Sequence, residues 1–415
     1  MKIKQISAIA IYDSRGKPTI RTKVVLEDGS LGISSVPSGA STGKYEALEL
    51  RDNDKNRFFG LTVDKAVENV NKKISEEVVG VEFEKAEDLD KRLIELDGTE
   101  NKANLGANAI LSVSQAYLKA LSSFQKKPLW KVINENYFDN VSSSFPRLMV
   151  NVINGGKHAN FNFDIQEFMI VPKSRIPSQS VYMAAFIFSA LGQRLKKIGL
   201  STLVGDEGGY SPKLLGNETV LKILTEIGKE INLKAGVDYD LALDSAASEF
   251  FDENEKKYKL KSENKNLTTD ELIDYYLSLE KKYPLISFED PFSEDDWEGF
   301  SKLTSRTKSM IVGDDLYVTN AKRIDIGIEK KATNAVLIKP NQVGTIYETV
   351  EAIKTAKKEG WKIIISHRSG ETEDSFIADL AYACGADFIK TGSICRSERL
   401  AKYNRLIEIE KWEKE

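Results

Sequence analysis

Hydrophobic and polar positions at the start of the chain follow the pattern of short β-strands. Between Ile6 and Val36, three apolar runs are separated by two turn signals, residues 13–18 (DSRGKP) and residues 27–30 (EDGS). Clusters of Asp, Gly, Pro and Ser interrupt strands and favour tight turns. The pattern therefore predicts an antiparallel meander of three strands.

A helical period replaces this pattern further along the chain. Apolar residues recur at spacings of three and four, as in an amphipathic helix, in residues 63–79, 83–96 and 107–124. A shorter stretch, residues 45–50 (YEALEL), has the same helical character. Strands followed by helices predict an α+β domain, which we expect over residues 1–138. The polar stretch 134–146, which ends in a proline, is the best candidate for a linker.

Beyond this stretch, short apolar runs alternate with helical segments. The strand candidates are residues 148–153, 168–171, 240–243, 285–288, 310–312, 335–338, 362–366 and 388–390. Six of them end at or next to a polar or ionisable residue, namely Asp244, Glu289, Asp314, Lys339, His367 and Lys390. Closed barrels of the α/β class usually have about 250 residues and carry their chemistry where the strands end. The pattern therefore predicts a β/α barrel over residues 139–415, in which the first strands need not alternate strictly with helices.

The composition is that of an ordinary folded protein, with 41% hydrophobic and 29% charged residues. The 59 basic and 63 acidic residues give a net charge of −4, so no overall basic field indicates a nucleic-acid partner. Two cysteines are too few for a disulfide framework and are consistent with a reducing compartment. We find no uninterrupted apolar stretch long enough to span a bilayer. We therefore expect a soluble cytoplasmic protein.

Three carboxylates follow separate strand candidates: Asp244, Glu289 and Asp314. Taken singly, each is typical of a solvated loop residue or a helix cap. Taken together at one end of a barrel, they would repel each other strongly unless a divalent cation lay between them. Ligand sets made only of oxygen favour magnesium over zinc or copper. The pattern therefore predicts a magnesium site.

Lys339 and Lys390 also stand at strand ends. Either could simply form an ion pair with a neighbouring acid. A buried lysine near a metal and another cation, however, loses proton affinity, which suits it to act as a base near neutral pH. We expect Lys339 to have a lowered pKa of this kind, and both lysines to bind an anionic substrate.

The only two histidines of the chain lie in loops at strand ends. The first loop supplies a donor cluster suited to a phosphate or carboxylate group, made of His367, Arg368 and Ser369. The competing interpretation of this loop is a helix cap made by its Ser or Thr hydroxyls. The second loop contains His158 and is followed at a strand start by Gln166 and Glu167. A lone histidine is usually structural, but the placement of both histidines favours a common site.

Glu207 lies in the glycine-flanked stretch LVGDEGGYSP, residues 203–212. A carboxyl group held in a partly desolvated loop can stay protonated and serve as a general acid. A simple acidic turn is the competing interpretation. The sequence does not separate the two.

Residues 38–44 (SGASTGK) look like a phosphate-cradling nucleotide loop. That pattern needs four residues between its glycines and a Ser or Thr after the lysine. Here Gly39 and Gly43 enclose only three residues, and Tyr45 follows Lys44. The remaining interpretations are a small-residue surface loop and a lid whose hydroxyl groups meet a ligand on closure.

Together these residues resemble the enolase family over essentially the whole chain. The matching motifs are DSRGKPT, VPSGASTGKYEALELRD, the segment 158–169, GDEGGYSP, SFEDP, GDDLYVTN, LIKPNQVGT, SHRSGETEDSFIADLA and RSERLAKYNRLIEIE. So many motifs in order make a chance resemblance negligible. The resemblance implies an N-terminal α+β domain, a C-terminal barrel of slightly irregular order, and a lyase of glycolysis and gluconeogenesis. Its reaction would be the reversible dehydration of 2-phosphoglycerate to phosphoenolpyruvate.

The resemblance also implies roles for the reacting groups. Lys339 would be the base that removes the C2 proton, and Glu207 the acid that helps the C3 hydroxyl leave. Enzymes of this superfamily combine a Lys or His base with one or two magnesium ions that stabilise an ene-diolate. The first magnesium would be held by Asp244, Glu289 and Asp314. A second, which binds with the substrate, would be joined by Ser41 of the lid.

The substrate would be held by the remaining residues of the family pattern. Its phosphate would bind to Arg368 and Ser369. The other side of the pocket would be lined by His158, Gln166 and Glu167, with Lys390 and His367 nearby. The resemblance further implies a homodimer, in some cases assembled into an octamer, that acts on a small-molecule substrate.

Three positions depart from the common family pattern: Ser245 in place of Cys, Lys157 before the pocket histidine, and Tyr210-Ser211 in place of Phe-Ala. None removes a ligand or a catalytic group. Because they can change affinity or pocket shape, they leave open whether 2-phosphoglycerate is the exclusive substrate. The alternatives are a related lyase or epimerase that acts on another carboxylate, and a non-catalytic protein that uses the scaffold for binding. The phosphate-binding residues argue against the first alternative, and the presence of both reacting groups argues against the second. A surface role in addition to catalysis stays open.

Overall fold

The computed structural model describes residues 1–39, 43–139, 142–159 and 161–413, without the side chain of His158. The chain begins with the predicted meander. Its strands pair antiparallel in the order β1 (Ile3–Tyr12), β2 (Pro18–Leu26) and β3 (Leu31–Ser35). The carboxylate of Asp13 closes the first turn, because it accepts hydrogen bonds from the backbone N–H groups of Arg15 (2.8 Å) and Lys17 (2.9 Å).

Helices of the N-terminal part follow these strands along the chain. They are α1 (Asp64–Asn69), α2 (Ser75–Val78), α3 (Ala86–Asp97), α4 (Ala107–Gln125) and α5 (Leu129–Tyr137). Helices α1, α2 and α4 pack against the sheet, and α3 and α5 pack against α4. A π-helical turn, Val70–Ile74, joins α1 to α2, so the predicted helix 63–79 is present with a local irregularity. Gly32 lets α4 approach β3 closely, since a Cβ there would lie 2.0 Å from the carbonyl oxygen of Ala116.

Residues 45–50, which the sequence pattern predicts to be helical, form a turn and then an irregular segment. Their backbone N–H groups bond to distant segments. Ala47 donates to the carbonyl of Gln342 (2.8 Å), and Leu48 donates to that of Asn101 (2.7 Å). The helical prediction is wrong here because tertiary contacts override a short stretch of local propensity.

The predicted linker 134–146 begins too early. Helix α5 continues to Tyr137, and Val132, Ile133 and Tyr137 on this helix are buried. Residues 140 and 141 lie outside the described part of the chain. The division into residues 1–138 and 139–415 stays a prediction.

The strands of the C-terminal part match the predicted candidates closely. They are β4 (Arg147–Asn154), β5 (Glu167–Pro172), β6 (Tyr239–Asp244), β7 (Phe251–Asp252), β8 (Lys257–Leu260), β9 (Lys265–Leu267), β10 (Leu285–Glu289), β11 (Met310–Gly313), β12 (Ala335–Ile338), β13 (Lys362–Ser366) and β14 (Phe388–Lys390). The short antiparallel sheet β7-β8-β9 is the part that the sequence pattern did not predict. The other eight close into a barrel in the order β10-β11-β12-β13-β14-β4-β5-β6. The predicted barrel is therefore confirmed.

One barrel strand runs against the others. Strand β5 pairs antiparallel with both β4 and β6, whereas the other neighbours in the ring are parallel. A hairpin with a single 3₁₀ turn, Gly156–Ala159, connects β4 to β5. The helices of this part are α6 (Pro177–Lys197), α7 (Asn217–Glu230), α8 (Thr269–Lys282), α9 (Trp297–Arg306), α10 (Ala321–Lys330), α11 (Ile346–Lys358), α12 (Phe376–Ala383) and α13 (Ser397–Trp412). The expected departure from strict alternation thus falls at the first strands.

Side chains of the barrel strands alternate between two hydrophobic clusters. The cluster inside the barrel contains Met149, Met169, Val171, Ala242, Val312, Ala335, Leu337, Ile364 and Phe388. The outer cluster packs the strands against the helices. Strand side chains alternate with a period of two, so the position two residues beyond an interior apolar residue also faces inwards. Beyond Ala242, Val312, Leu337 and Phe388, these positions are Asp244, Asp314, Lys339 and Lys390.

On the antiparallel strand β5, the inward-facing position at this end of the barrel lies before the interior apolar residue and not after it. On β5 the position two residues before Met169 is Glu167, which pairs in register with Asp244 of β6. Glu167 therefore joins the same end of the barrel from the start of its strand. The period of the strands alone thus brings ionisable groups from five strands to one face.

Candidate active site

Lys390 lies at the centre of an acidic cluster at this face. Its ammonium group donates to Asp244 Oδ2 (2.8 Å) and to both Glu289 carboxylate oxygens (2.8 and 2.9 Å). It also lies 3.3 Å from Glu167 Oε1. Burial disfavours the charge on Lys390, but the carboxylates of Asp244, Glu167 and Glu289 outweigh burial and raise the pKa of Lys390 well above its usual value. Lys390 is therefore a fixed positive charge among three acids.

Lys339 follows β12 and forms an ion pair with Asp314 Oδ2. Burial is the largest single effect and lowers the pKa of Lys339, but the carboxylates of Asp314, Asp315 and Glu289 together outweigh it, and the net shift is upward. Burial likewise opposes ionisation of Asp314, yet Lys339 keeps the pKa of Asp314 below its usual range. The lowered Lys339 pKa expected from the sequence concerns the site in the presence of a metal ion, and it stays a prediction.

The amide of Gln342 connects this ion pair to the rest of the face. Its Nε2 donates to Asp314 Oδ1 (3.1 Å) and to Glu46 Oε1 (3.3 Å). Its Oε1 accepts a hydrogen bond from the Thr319 hydroxyl (2.6 Å), which in turn accepts one from the backbone N–H of Lys339 (2.8 Å). Thr319 thus holds both the backbone of Lys339 and the orientation of the Gln342 amide.

Glu207 belongs to a second group of contacts at this face, in which its buried carboxylate lies between polar partners. Asn151 Nδ2 donates to Glu207 Oε2 (3.1 Å), and His367 Nε2 lies 3.5 Å from Glu207 Oε1. The guanidinium of Arg399 donates to His367 Nδ1 (2.6 Å). Burial, with Arg399 adding to it against the opposing effect of Glu207, lowers the pKa of His367 well below its usual value. His367 is therefore neutral with its hydrogen on Nε2, directed at Glu207.

Arg368 forms a two-pronged ion pair with Glu46. Its Nη1 donates to Glu46 Oε2 (2.9 Å) and its Nη2 donates to Glu46 Oε1 (3.1 Å), while Nη1 also donates to Asn341 Oδ1 (3.0 Å). The neighbouring Ser369 accepts a hydrogen bond from Arg15 Nη1 (3.1 Å). The donor cluster predicted for phosphate is thus engaged by side chains of the N-terminal part.

A small cavity of about 30 Å³ joins these groups. Its lining consists of Gln166, Glu167, Glu207, Asp244, Lys339, Ser366, His367, Arg368, Ser369 and Lys390. Nine of these ten are residues that the sequence analysis singled out. Glu289 and Asp314 lie directly behind the lining, bonded to Lys390 and Lys339. Ser41 and the side chain of His158 lie outside the described residues, so their predicted roles stay predictions.

The predicted metal ligands form an all-oxygen set that fits a hard divalent cation. Lys390 already places positive charge between Asp244 and Glu289. Burial and then Asp244 raise the pKa of Glu289 well above its usual value, although Lys390 and Lys339 oppose this shift. Among the described residues, the groups with ligand atoms within 4.8 Å of one another are Glu167, Glu207 and His367, and Asp290, Asp314 and Asp315. The predicted set is not among them.

Sequence reasoning missed several residues of the site. Glu46 stood inside a stretch that looked helical, and Gln342 and Thr319 carry neutral side chains whose partners lie far along the chain. Only one signal could have found them. That signal is the family resemblance, because Glu46, Thr319 and Gln342 fall within the matching motifs. Their contacts with one another join distant segments and therefore produce no periodic pattern in the local sequence.

Family comparison agrees with this geometry. The enolase N-terminal domain matches residues 3–133, and the enolase C-terminal TIM barrel domain matches residues 142–413. The chain belongs to the enolase family. Enolase domains support a lyase that dehydrates 2-phosphoglycerate, uses a divalent metal and acts on a small-molecule substrate. Within the described residues of this enolase, no helix combines the length and the apolar character needed to cross a membrane.

Proposed function

We propose that this chain catalyses the reversible dehydration of 2-phosphoglycerate to phosphoenolpyruvate, the step of glycolysis and gluconeogenesis named in the sequence analysis. The observation that carries the proposal is the cavity that Lys339 and Glu207 line together with Arg368 and Ser369. A base, an acid and a phosphate-binding pair are the three functions that this reaction requires. Their placement around one cavity supports the assignment.

Lys339 is the proposed base. Its neutral amine takes the C2 proton, and the electrons of the C2–H bond delocalise into the adjacent carboxylate. These electrons then form the C2–C3 double bond as the C3–O bond breaks. Glu207 donates a proton to the departing hydroxyl group, which leaves as water. His367 supports Glu207 because its neutral imidazole directs Nε2–H towards the carboxyl group.

Asp244, Glu289 and Asp314 are the proposed ligands of the first metal, for which we propose magnesium. A bound divalent cation would supply charge against the dianion that forms when C2 loses its proton, and would offset the Asp314 charge that keeps Lys339 protonated. Ser41 is proposed to join a second magnesium with the substrate. The substrate itself is proposed to contact the following side chains: His158, Gln166, Glu167, His367, Arg368, Ser369 and Lys390.

The test is the absorbance of the enol phosphate product after the purified protein is mixed with 2-phosphoglycerate. We expect a rise when magnesium is present and none after chelation. Restoring magnesium to the chelated sample should restore the rise, which separates metal loss from denaturation. A folded protein that binds magnesium but gives no rise contradicts the proposal.

We also propose a cytoplasmic homodimer, with an octamer as the alternative assembly. This proposal rests on the family pattern and not on a described contact. Light scattering of the purified protein distinguishes the two assemblies by mass.

A further inference from the structure

The residue proposed to bind phosphate is occupied by an internal anion. Both terminal nitrogens of Arg368 donate to the two carboxylate oxygens of Glu46, at 2.9 and 3.1 Å. The Arg368 and Glu46 side chains are only 3% and 6% exposed. This two-pronged geometry is also the one that a guanidinium uses for phosphate. Glu46 therefore takes up the face of Arg368 that a phosphate needs.

Other contacts of Glu46 hold it in this place. Its Oε1 accepts hydrogen bonds from the backbone N–H of Gly43 (2.9 Å) and from Gln342 Nε2 (3.3 Å). Gln342 also donates to Asp314 Oδ1 (3.1 Å). The carboxylate is thus seated by donors from two separate segments besides Arg368. It is a built contact and not a loose surface ion pair.

We propose that Glu46 is an internal competitor that sets the affinity of Arg368 for phosphate. This inference rests on the proposed function of Arg368. A buried guanidinium without an anionic partner is unfavourable, so Glu46 stabilises Arg368 while no ligand is bound. A phosphate group that binds to this face of Arg368 replaces Glu46, and the free energy of releasing Glu46 is subtracted from the free energy of phosphate binding.

The position of Arg368 agrees with such an exchange. Arg368 lines the cavity together with Ser369, whereas Glu46 is not among the lining residues. Displacement of the Glu46 carboxylate would make the Nη1 and Nη2 donors of Arg368 accessible to a phosphate group. Binding of phosphate to Arg368 and release of the Glu46 carboxylate therefore belong to one equilibrium.

The proposal predicts an unusual direction for a mutation in a binding site: Glu46→Gln should tighten the binding of phosphate. Titration calorimetry with inorganic phosphate and a chelator measures this without turnover. We expect the dissociation constant to fall by about tenfold, since charge-assisted hydrogen bonds to a buried guanidinium are lost from the competing state. The increase in phosphate affinity should disappear in the Arg368→Met background, because Glu46 then has no guanidinium to compete for.

Glu49→Gln is the matched control. Glu49 lies three residues away and pairs with Arg51 Nη2 (2.5 Å), and its carboxylate also feels the charge of Arg368. Its loss removes the same charge from the same segment without a direct contact to Arg368. We expect Glu49→Gln to change phosphate affinity much less than Glu46→Gln. Equal effects of the two variants would mean long-range charge alone and would overturn the proposal.

Two further readouts keep the test decisive. The increase in melting temperature on adding phosphate should be larger for Glu46→Gln than for wild type, which reports binding even if the variant is less stable. Unchanged or weaker phosphate binding by folded Glu46→Gln overturns the inference. If wild type still dehydrates 2-phosphoglycerate, only the role of Glu46 fails. If wild type has no turnover and Arg368→Met leaves phosphate binding unchanged, the proposed function of Arg368 fails as well.

Discussion

Lys339 and Lys390 are two lysines of one site with different freedom to exchange a proton. Lys390 contacts three carboxylates, and each of these contacts stabilises its charged form. Within the part of the chain that the structure describes, Lys339 forms an ion pair only with Asp314, and it lines the cavity. A catalytic base has to alternate between its two protonation states. The contacts therefore suit Lys390 to fixed charge compensation and Lys339 to proton transfer.

Lys339→Ala should abolish turnover while the variant still binds magnesium and inorganic phosphate. The physical reason is that the amine is the proposed acceptor of the C2 proton, whereas Asp244, Glu289 and Arg368 are left in place. Turnover is measured by product absorbance, and binding by titration calorimetry. Lys322→Ala, at a side chain that is 86% exposed, is the control and should leave both unchanged. Activity of Lys339→Ala within about tenfold of wild type would exclude the lysine as the base.

At the scale of a structural element, the turn after β11 has a strained backbone conformation and holds Lys339 and Gln342. Val318 and Thr319 have φ values of 45° and 56°, in the left-handed region that β-branched residues rarely adopt. Such conformations cost roughly 1–3 kcal/mol each and persist where the surroundings enforce them. Here the strained turn places the Thr319 hydroxyl between the Lys339 backbone and the Gln342 amide.

Thr319→Val should lower kcat by roughly tenfold or more with little change in KM, because two hydrogen bonds that orient the base and the amide are lost. The side-chain volume stays nearly the same, so the fold should persist. Thr319→Ser keeps the hydroxyl and should restore most of kcat. Steady-state kinetics of the two variants test this positioning role. A Val variant with wild-type kcat, or a Ser variant as slow as Val, would contradict it.

Sequence patterns predicted the barrel, and the ionisable residues at its strand ends, because both depend on short-range periodicity. The alternation that places Ala335 and Leu337 inside the barrel also places Lys339 at its rim, and this can be read from five consecutive residues. Contacts such as Glu46 with Arg368 cannot be read in this way, since 322 residues separate the partners. The same separation along the chain explains why the helix predicted at residues 45–50 is wrong. Distant residues form hydrogen bonds with the backbone and side chains of this segment.

At the scale of the whole molecule, Asp90 joins the N-terminal part to the barrel. Its Oδ2 accepts hydrogen bonds from the Tyr137 hydroxyl (3.1 Å) and from the backbone N–H of Tyr347 (2.8 Å) at the start of α11. Ser114 accepts from the neighbouring Ile346 N–H (3.2 Å). Residues of α3 and α4 therefore cap a helix of the barrel. Burial raises the pKa of Asp90 to about 6.

This raised pKa makes the stability of the junction depend on pH. The folded chain holds the Asp90 proton more tightly than the unfolded chain, where the pKa is near 4, so stability increases as pH falls from about 6 to about 4. Asp90→Asn should remove this contribution. Relative to the variant, wild type should gain roughly 2–3 kcal/mol of unfolding free energy between pH 8 and pH 4.

Urea unfolding of both proteins at several pH values measures the difference. The exposed Glu84→Gln is the control and should follow wild type at every pH. Parallel pH profiles for wild type and Asp90→Asn would show that Asp90 does not titrate in this range.

Strand β14 carries Lys390, and it pairs with β13 on one side and β4 on the other. Along the chain, Lys390 is 101 residues from Glu289 and 146 residues from Asp244. Until this last strand is in place, the acids at the rim of a partly folded barrel repel one another without the ammonium group that compensates them. Closing the ring and neutralising its rim are therefore the same folding event. Its rate in refolding experiments should rise with added salt more in a Lys390→Met variant than in wild type, because salt screens the uncompensated repulsion among the acids in the variant but also screens the attraction to Lys390 in wild type.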